Sequence, residues 1–248
     1  MQILGIDIGG TGIKGSPVET DSGSLISERF RLRTPRGAKP IPVAEVVGQV
    51  ALHFNWQAPI GCGFPAVIRS GVAESAANIN KKWIGTNVAE LFAESTHCPV
   101  HVVNDADAAG LAEVTLGAGK GVSGVVMMIT IGTGLGSALF IDGKLVPNTE
   151  LGHIEIDCDE AEAIASDAVR KQQNLSWKKW AKRLDKYLCR LESLFSPDLM
   201  ILGGGAVKKG DQFLHLLTLH TKVIPAQLGN EAGIVGAALS AKHNLGLA

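Results

Sequence analysis

The same short pattern occurs twice in this chain, and it limits the folds available more than any other feature. Ile6-Asp7-Ile8-Gly9-Gly10-Thr11-Gly12 and Ile129-Thr130-Ile131-Gly132-Thr133-Gly134-Leu135-Gly136 each pass from a β-branched run through a glycine turn with threonine into a second apolar run. An internal repeat of this kind, continued on both sides by further strands and helices, predicts two related α/β lobes whose glycine turns face a shared cleft. Two unrelated glycine-rich hairpins would give the same local pattern. The 248 residues are enough to give each lobe a buried core. With 46% hydrophobic and 19% charged residues, the composition is that of a folded protein rather than a disordered one.

Periodicity fills in the elements. Residues 3–8, 13–18 and 25–32 read as strands joined by Gly- and Asp-bearing turns, and 41–54 as a helix, with Val43, Val46, Val47, Val50, Ala51 and Phe54 at helical spacing. Runs 59–64 and 100–103 suit buried strands, and 105–116 a helix that stops at Gly117. In the second half, 122–131 and 135–141 form a hairpin, and the Asp142-Gly143 turn leads into 144–146. Helices are expected at 160–170 and 176–195, a strand at 199–202, and a small-residue helix at 231–241. Residues 1–105 then make a small N-terminal lobe, rejoined by the helix from 231 to 248, and 106–230 a larger C-terminal lobe.

Several function classes drop out. The net charge is −1, so the whole-molecule field does not attract a polyanion and any anion site must be local. No apolar run is long enough to suggest a membrane span, and the N-terminal residues lack the basic start of a signal peptide. Cys62, Cys98, Cys158 and Cys189 are widely spaced, with no Cys-x-x-Cys pair, and read as reduced thiols of a cytoplasmic protein. No DNA- or RNA-reading motif is present.

The chemistry-bearing residues cluster at the turns. In Asp7-x-Gly9-Gly10-Thr11-Gly12-x-Lys14, glycines permit positive φ and bring backbone N–H groups to an anion, Thr11 adds a hydroxyl and Lys14 a cation. Asp7 beside such a cradle makes sense if Mg²⁺, held directly or through water, neutralises it. A plain hairpin with an exposed acid is the alternative. Gly132-Thr133-Gly134 is a second cradle that is neither a Walker loop nor a dinucleotide fingerprint. Gly203-Gly204-Gly205 offers bare backbone to a ligand or simply makes a tight turn. Asp105, after Asn104, is either a general base or a helix N-cap. Glu150-Leu151-Gly152-His153 can present acceptors and a donor to vicinal hydroxyls, or can be a surface turn. The basic face of 176–195 is a solvated surface or a steering field, and Trp177 and Trp180 belong to a core or subunit contact.

Together these motifs resemble the ROK family of sugar kinases, in the family's order over almost the whole chain. Asp7-x-Gly9-Gly10-Thr11 and Gly132-Thr133-Gly134 resemble its phosphate motifs and Asn104-Asp105-Ala106 its catalytic-base motif. Glu150-Leu151-Gly152-His153 resembles its sugar motif and Gly203-Gly204-Gly205 its nucleotide-side motif. Phe64-Pro65-Ala66-Val67, Ala76-Ala77-Asn78-Ile79, Trp83-Ile84-Gly85-Thr86-Asn87 and Ser196-Pro197-Asp198-Leu199 are similar to its polyphosphate glucokinase branch. Pro225-Ala226-Gln227-Leu228 and Asn230-Glu231-Ala232-Gly233 are similar to the same branch. The Cys-rich zinc loop of many members is absent here apart from Cys158, so no zinc is expected; across that gap Glu162 matches the loop's terminal glutamate.

The resemblance implies a two-lobed actin/hexokinase-like α/β fold, a duplicated ribonuclease H-like arrangement with central mixed sheets. It implies phosphorylation of the 6-hydroxyl of glucose, with Asp105 as base and with Asn78, Asn104, Glu150, His153 and Glu162 holding the sugar. Asp7, Gly9, Gly10, Thr11, Gly12, Lys14, Gly132, Thr133, Gly134, Gly204 and Gly205 would face the donor phosphates, with Mg²⁺ near Asp7. The resemblance further implies inorganic polyphosphate or ATP as donor and a homodimer as the assembly. Lys14, Lys81, Lys82, Lys120 and Lys144 are candidates for a polyphosphate track. The other readings are an ATP-dependent hexokinase with another sugar preference and a non-catalytic sugar sensor. A sugar-responsive repressor would need a DNA-binding segment ahead of the first strand.

Overall fold

The computed structural model describes residues 1–246. In chain order it begins with strands β1 (Gln2–Ile8), β2 (Ile13–Glu19), β3 (Ser24–Leu25) and β4 (Phe30–Leu32) and helix α1 (Pro40–His53). There follow β5 (Ile60–Phe64), β6 (Ile68–Arg69), β7 (Val72–Ala73), α2 (Val88–Thr96), β8 (Val100–Asn104) and α3 (Asp105–Leu116). The second half has β9 (Val125–Ile131), β10 (Leu135–Ile141), β11 (Lys144–Val146), β12 (Glu155–Ile156) and β13 (Asp159–Glu160). It continues through α4 (Ala161–Ala165), α5 (Asp167–Gln172), α6 (Trp177–Phe195), β14 (Leu199–Gly203), β15 (Lys222–Pro225) and α7 (Ala232–Asn244). Two compact units result: Met1–Ala112 with the C-terminal stretch from Glu231, and Glu113–Asn230.

Both units use one sheet plan. The strand order is β3-β2-β1-β5-β8 in the first and β11-β10-β9-β14-β15 in the second. Each starts with an antiparallel hairpin and adds two parallel strands beside the hairpin's first strand. The sequence repeat is therefore a repeat of topology, and its two glycine turns are the two hairpin tips.

In the first unit one face of the sheet packs on α1 and α2, burying Val43, Val47, Val50, Phe64, Trp83 and Phe92. The Phe64 and Trp83 rings meet edge to face at 4.6 Å. Against the strands lies α7, whose run of Ala, Gly, Ile and Val is buried from Ala232 onward except at Gly233, which is half-buried. Here backbone touches backbone. A Cβ on Gly5 would stand 2.0 Å from the Ile234 carbonyl oxygen, and one on Gly61 1.9 Å from that of Ala237. One on Gly236 would stand 1.6 Å from the carbonyl oxygen of Ala108 in α3. In the second unit the amphipathic α6 buries Trp180, Leu184, Tyr187, Leu188 and Leu191, and Trp180 meets Phe213 edge-on at 5.0 Å. The expected core role of Trp180 is what the structure has.

Three departures from the sequence reading have physical causes. The single strand expected at 25–32 is two, β3 and β4, both paired with β2. The gap between them faces Ser16 and Pro17; proline has no N–H for the ladder, so pairing cannot run through it. The helix expected at 160–170 is broken at Ser166, whose extended backbone lets its hydroxyl cap α5 through the N–H of Val169 at 3.4 Å. Helix α2 was not expected at all, although Asn87 caps it by accepting the Glu90 N–H at 3.2 Å. Among the described residues no helix is long and apolar enough to cross a membrane.

Because α7 has no space between itself and α3 at Gly236, Gly236→Ala should lower stability by about 3 kcal/mol, the upper range for overpacking, in a urea titration. A loss below about 1 kcal/mol would mean that α7 shifts outward without cost.

Candidate active site

The first unit assembles its site at the C-terminal ends of parallel strands β1, β5 and β8, the edge where open α/β sheets bind ligands. Asp7 pairs in register with Gly63 of β5, and Gly63 with Val103 of β8, so α3 starts with Asp105 one strand over. A Cβ on Gly63 would lie 3.7 Å from the Asp105 Cα and 3.8 Å from the Gly233 carbonyl oxygen. A Cβ on Gly233, in the first turn of α7, would lie 2.6 Å from Asp7 Oδ2. Gly233 thus clears the space over the Asp7 carboxylate, while at Gly63 a methyl group would make only ordinary contacts. Asp7 is half-buried and ion-paired at 2.9 Å with Lys14, its cross-strand neighbour.

The glycine turn between β1 and β2 is closed by the Gly9 N–H donating to the Gly12 carbonyl at 3.0 Å. Gly10 and Thr11 are exposed at its tip. Positive φ, the reason expected for these glycines, is not what the structure uses. None of Gly9, Gly10, Gly12, Gly132 and Gly134 is left-handed, whereas Gly204 is, at φ +84°. A Cβ on Gly12 would meet the Arg31 guanidinium at 2.5 Å, a contact with the tip of a flexible side chain.

Asp105 was read as either base or cap, and the cap is its neighbour. The Asn104 side-chain oxygen accepts the N–H groups of Ala106 at 2.9 Å and Asp107 at 3.1 Å, while its amide donates to the Ala66 carbonyl at 3.1 Å. Asp105 is therefore the first helical residue, partly exposed, with its carboxylate near the positive end of α3. Asn104 is buried.

In the second unit the residues gather around the other hairpin tip. The Gly132 carbonyl accepts the Ala168 N–H of α5 at 3.2 Å, and Glu162 accepts the Leu135 N–H at 2.9 Å. A Cβ on Gly152 would stand 2.1 Å from the Leu135 carbonyl oxygen, so Leu151–His153 lies directly on the start of β10. Ser137 fixes the segment before it, donating to the Thr149 carbonyl and accepting the Leu151 N–H at 3.0 Å. Gly204 closes the same edge, since a Cβ there would meet the Ile131 backbone nitrogen at 2.6 Å.

Glu150, His153 and Glu162 come together as charges. Burial pushes the Glu150 carboxyl up, nearby Glu162 adds to this, and His153 offsets part of it. His153 is pushed up, first by its 3.1 Å hydrogen bond to Glu160, then by the surrounding carboxylates, against partial burial. Imidazole and carboxylates on one patch can accept and donate to sugar hydroxyls. Among the described residues no His, Cys, Asp and Glu group has the geometry to hold a metal ion.

The remaining expected residues are scattered. Asn78 lies exposed in the loop before Asn80, Lys120 and Lys144 are exposed on the second unit, and Lys81 and Lys82 are exposed on the first. Sequence reasoning missed Glu160, which reaches His153 because Asp157 and Cys158, both at positive φ, form a two-residue hairpin turn. It also missed Glu113, a buried carboxylate accepting the N–H groups of Ala118, Gln227 and Leu228 at 2.9, 3.1 and 2.7 Å. Neither follows from local pattern, because the partners are far apart in sequence or face each other only after a turn.

Residues 3–168 match the model of the ROK family. The chain belongs to the ROK family. The polyphosphate glucokinase of Mycobacterium tuberculosis (strain CDC 1551 / Oshkosh) is 46% identical to this ROK protein over 96% of the chain and 90% of its own length. That of Mycobacterium leprae (strain TN) is 46% identical over 96% and 74%. Among solved structures, the inorganic polyphosphate/ATP-glucomannokinase of Arthrobacter sp. strain KM superposes with a TM-score of 0.95 at 49% identity, covering 98% of both chains. A ROK glucokinase of Streptomyces griseus in complex with glucose and AMPPNP gives 0.85 at 25% identity over 98% and 100%. The duplicated sheet plan described above is the actin/hexokinase-like fold of these ROK sugar kinases.

With the Glu160 carboxylate as its main partner, His153 should titrate above the ordinary histidine value of about 6.5. Glu160→Gln removes the charge that favours the imidazolium, so the midpoint should fall in an NMR titration of the imidazole resonances. An unmoved midpoint would assign the shift to the other carboxylates.

Proposed function

We propose that this ROK protein transfers the terminal phosphoryl group of inorganic polyphosphate, and also of ATP, to the 6-hydroxyl of glucose. The observation that carries the reading is Asp105 at the first helical position, on the strand edge shared with Asp7 and the 9–12 turn. The donor follows from the 46% and 49% identity to proteins named for polyphosphate.

In this reading glucose is held by Glu150, His153, Glu162, Asn104 and Asn78. Asp105 takes the proton of the 6-hydroxyl as the new O–P bond forms and the donor's terminal P–O–P bridge breaks. An aspartate is too weak a base to ionise a free alcohol, so the proton moves late, when the oxygen has already lost electron density. Glucose 6-phosphate leaves together with a chain shorter by one phosphate, or with ADP. Most of the acceleration then comes from alignment and charge stabilisation rather than from basicity. Lys14 and the turns at 9–12, 132–134 and 204–205 would face the phosphates.

Asp7 fits Mg²⁺ that arrives with the donor. Magnesium keeps several waters and takes one or two carboxylates plus substrate phosphates, and Gly233 leaves the Asp7 carboxylate unobstructed by any side chain of its own. When bound, the ion would supply charge neutralisation at the donor phosphates. The four cysteines are free thiols, which supports a cytoplasmic setting. Mannose is a second acceptor to test, because the Arthrobacter relative is named a glucomannokinase.

Purified protein given glucose and either donor should form glucose 6-phosphate, and Asp105→Asn should reduce kcat by about 10²-fold or more while glucose still binds by calorimetry. Formation of product at near-normal rates in that variant would remove Asp105 from the reaction, and no product from either donor in the parent would overturn the reading itself.

A further inference from the structure

The cation track expected from the sequence rests on scattered lysines. The structure favours a different set. Residues 29–39 contain Arg29, Arg31, Arg33, Arg36 and Lys39 and no acid, although the whole chain carries a net charge of −1. This segment is a strap docked at both ends. At one end the Arg31 guanidinium donates to the Thr11 carbonyl at 3.2 Å, filling the space that Gly12 leaves, and the Thr34 hydroxyl donates to the Gly9 carbonyl. At the other end the Asn80 amide donates to the Gly37 carbonyl at 2.7 Å, and the Trp83 indole to the Ala38 carbonyl at 2.8 Å. Those bonds seat the Lys81–Trp83 turn, with exposed Lys81 and Lys82, against Gly37 and Ala38, which Arg36 and Lys39 flank in sequence.

The acids missing from the strap's own sequence are not supplied by neighbours either. Lys14 is paired with Asp7, Arg69 with Glu74, Lys171 with Asp167 and Lys242 with Asp21. Among the described residues Arg31, Arg33, Arg36, Lys39, Lys81 and Lys82 form no ion pair, and all six are exposed. Surface cations ordinarily gain little from single exposed acids. A row of them without acids raises the local potential and suits a linear polyanion with one charge per unit, which gains by releasing counterions at each contact.

We propose that these six side chains form a subsite for the non-reacting phosphates of a long polyphosphate, beginning with Arg31 over the 9–12 turn and continuing through Arg33 and Arg36 to Lys81 and Lys82. The proposal rests on the reading that polyphosphate is a donor. It replaces Lys14, which is held by Asp7, and it excludes Lys120 and Lys144 of the other unit. A short donor reaches no further than Arg31, so the rest of the subsite acts on chain length.

The test compares the parent with a variant carrying Arg33→Gln, Arg36→Gln, Lys81→Gln and Lys82→Gln, using long-chain polyphosphate, tripolyphosphate and ATP over a salt series. A second variant, Lys120→Gln with Lys144→Gln, controls for charge loss elsewhere, and circular dichroism melts confirm that both are folded. The strap variant should raise KM for the long chain by about 10-fold or more and flatten its log–log salt slope by about 3, at roughly 0.7 per lost contact. KM for tripolyphosphate and ATP should stay within about 2-fold. An unchanged long-chain KM and salt slope overturns the subsite and leaves the donor reading standing, as does an equal loss in the Lys120/Lys144 variant. A parent that phosphorylates glucose with ATP but with no polyphosphate overturns both.

Discussion

The direct approach of helix α7 to the sheet of the first unit is the constraint on which the rest of that unit depends. Two glycines make it possible, Gly5 on β1 and Gly61 on β5, and Gly236 lets the same helix close on α3; at each, a single methyl group would enter another residue's peptide. Contact this close gives dense dispersion packing with little side-chain entropy to lose, because small residues have almost none. It also sets the height of the helix over the strand ends. At the helix's first turn, Gly233 stops just short of the Asp7 carboxylate. Asp7 therefore lies beside the contact that closes the core, and its place is inherited from packing.

The second unit solves a similar problem with charge. Glu162 and Glu113 each spend a carboxylate on backbone N–H groups, Glu162 at the start of β10 and Glu113 across α3, Ala118 and the Gln227-Leu228 corner. Charged acceptors make stronger hydrogen bonds than neutral ones, so single side chains can tie loops that have no other reason to meet. The Glu150, His153 and Glu160 group follows the opposite logic. Its carboxylates crowd one imidazole, and burial and mutual repulsion raise the proton affinity of the patch. An imidazole among carboxylates offers both donors and acceptors, which suits it to exchanging hydrogen bonds with hydroxyls.

Much of this was legible in the sequence. The twin glycine turns gave away the duplicated sheet because a strand, a tight tip and a second strand are all local, and local propensity suffices to specify them. The order of motifs gave the family. What local pattern could not convey was which neighbour performs which task. Asn104 and Asp105 are both good caps in isolation; only the path of α3 decides that Asn104 caps and Asp105 follows. The glycines of the two tips looked like conformational specialists, yet none of Gly9, Gly10, Gly12, Gly132 and Gly134 has a positive φ, and the Arg31 guanidinium lies over Gly12. The break between β3 and β4 came from Pro17 on the neighbouring strand, and nothing within 25–32 announces it.

The amino-acid sequence by itself determined the element types, the repeat, the family and the short list of acids able to do the chemistry, because each depends on residues close together along the chain. Tertiary structure alone decided the pairings: Asp7 with Lys14, His153 with Glu160, Glu162 with a backbone amide, and an arginine strap laid against a glycine tip. Distances between remote residues are set by how whole elements pack, and packing is a property of the entire core rather than of any stretch of sequence.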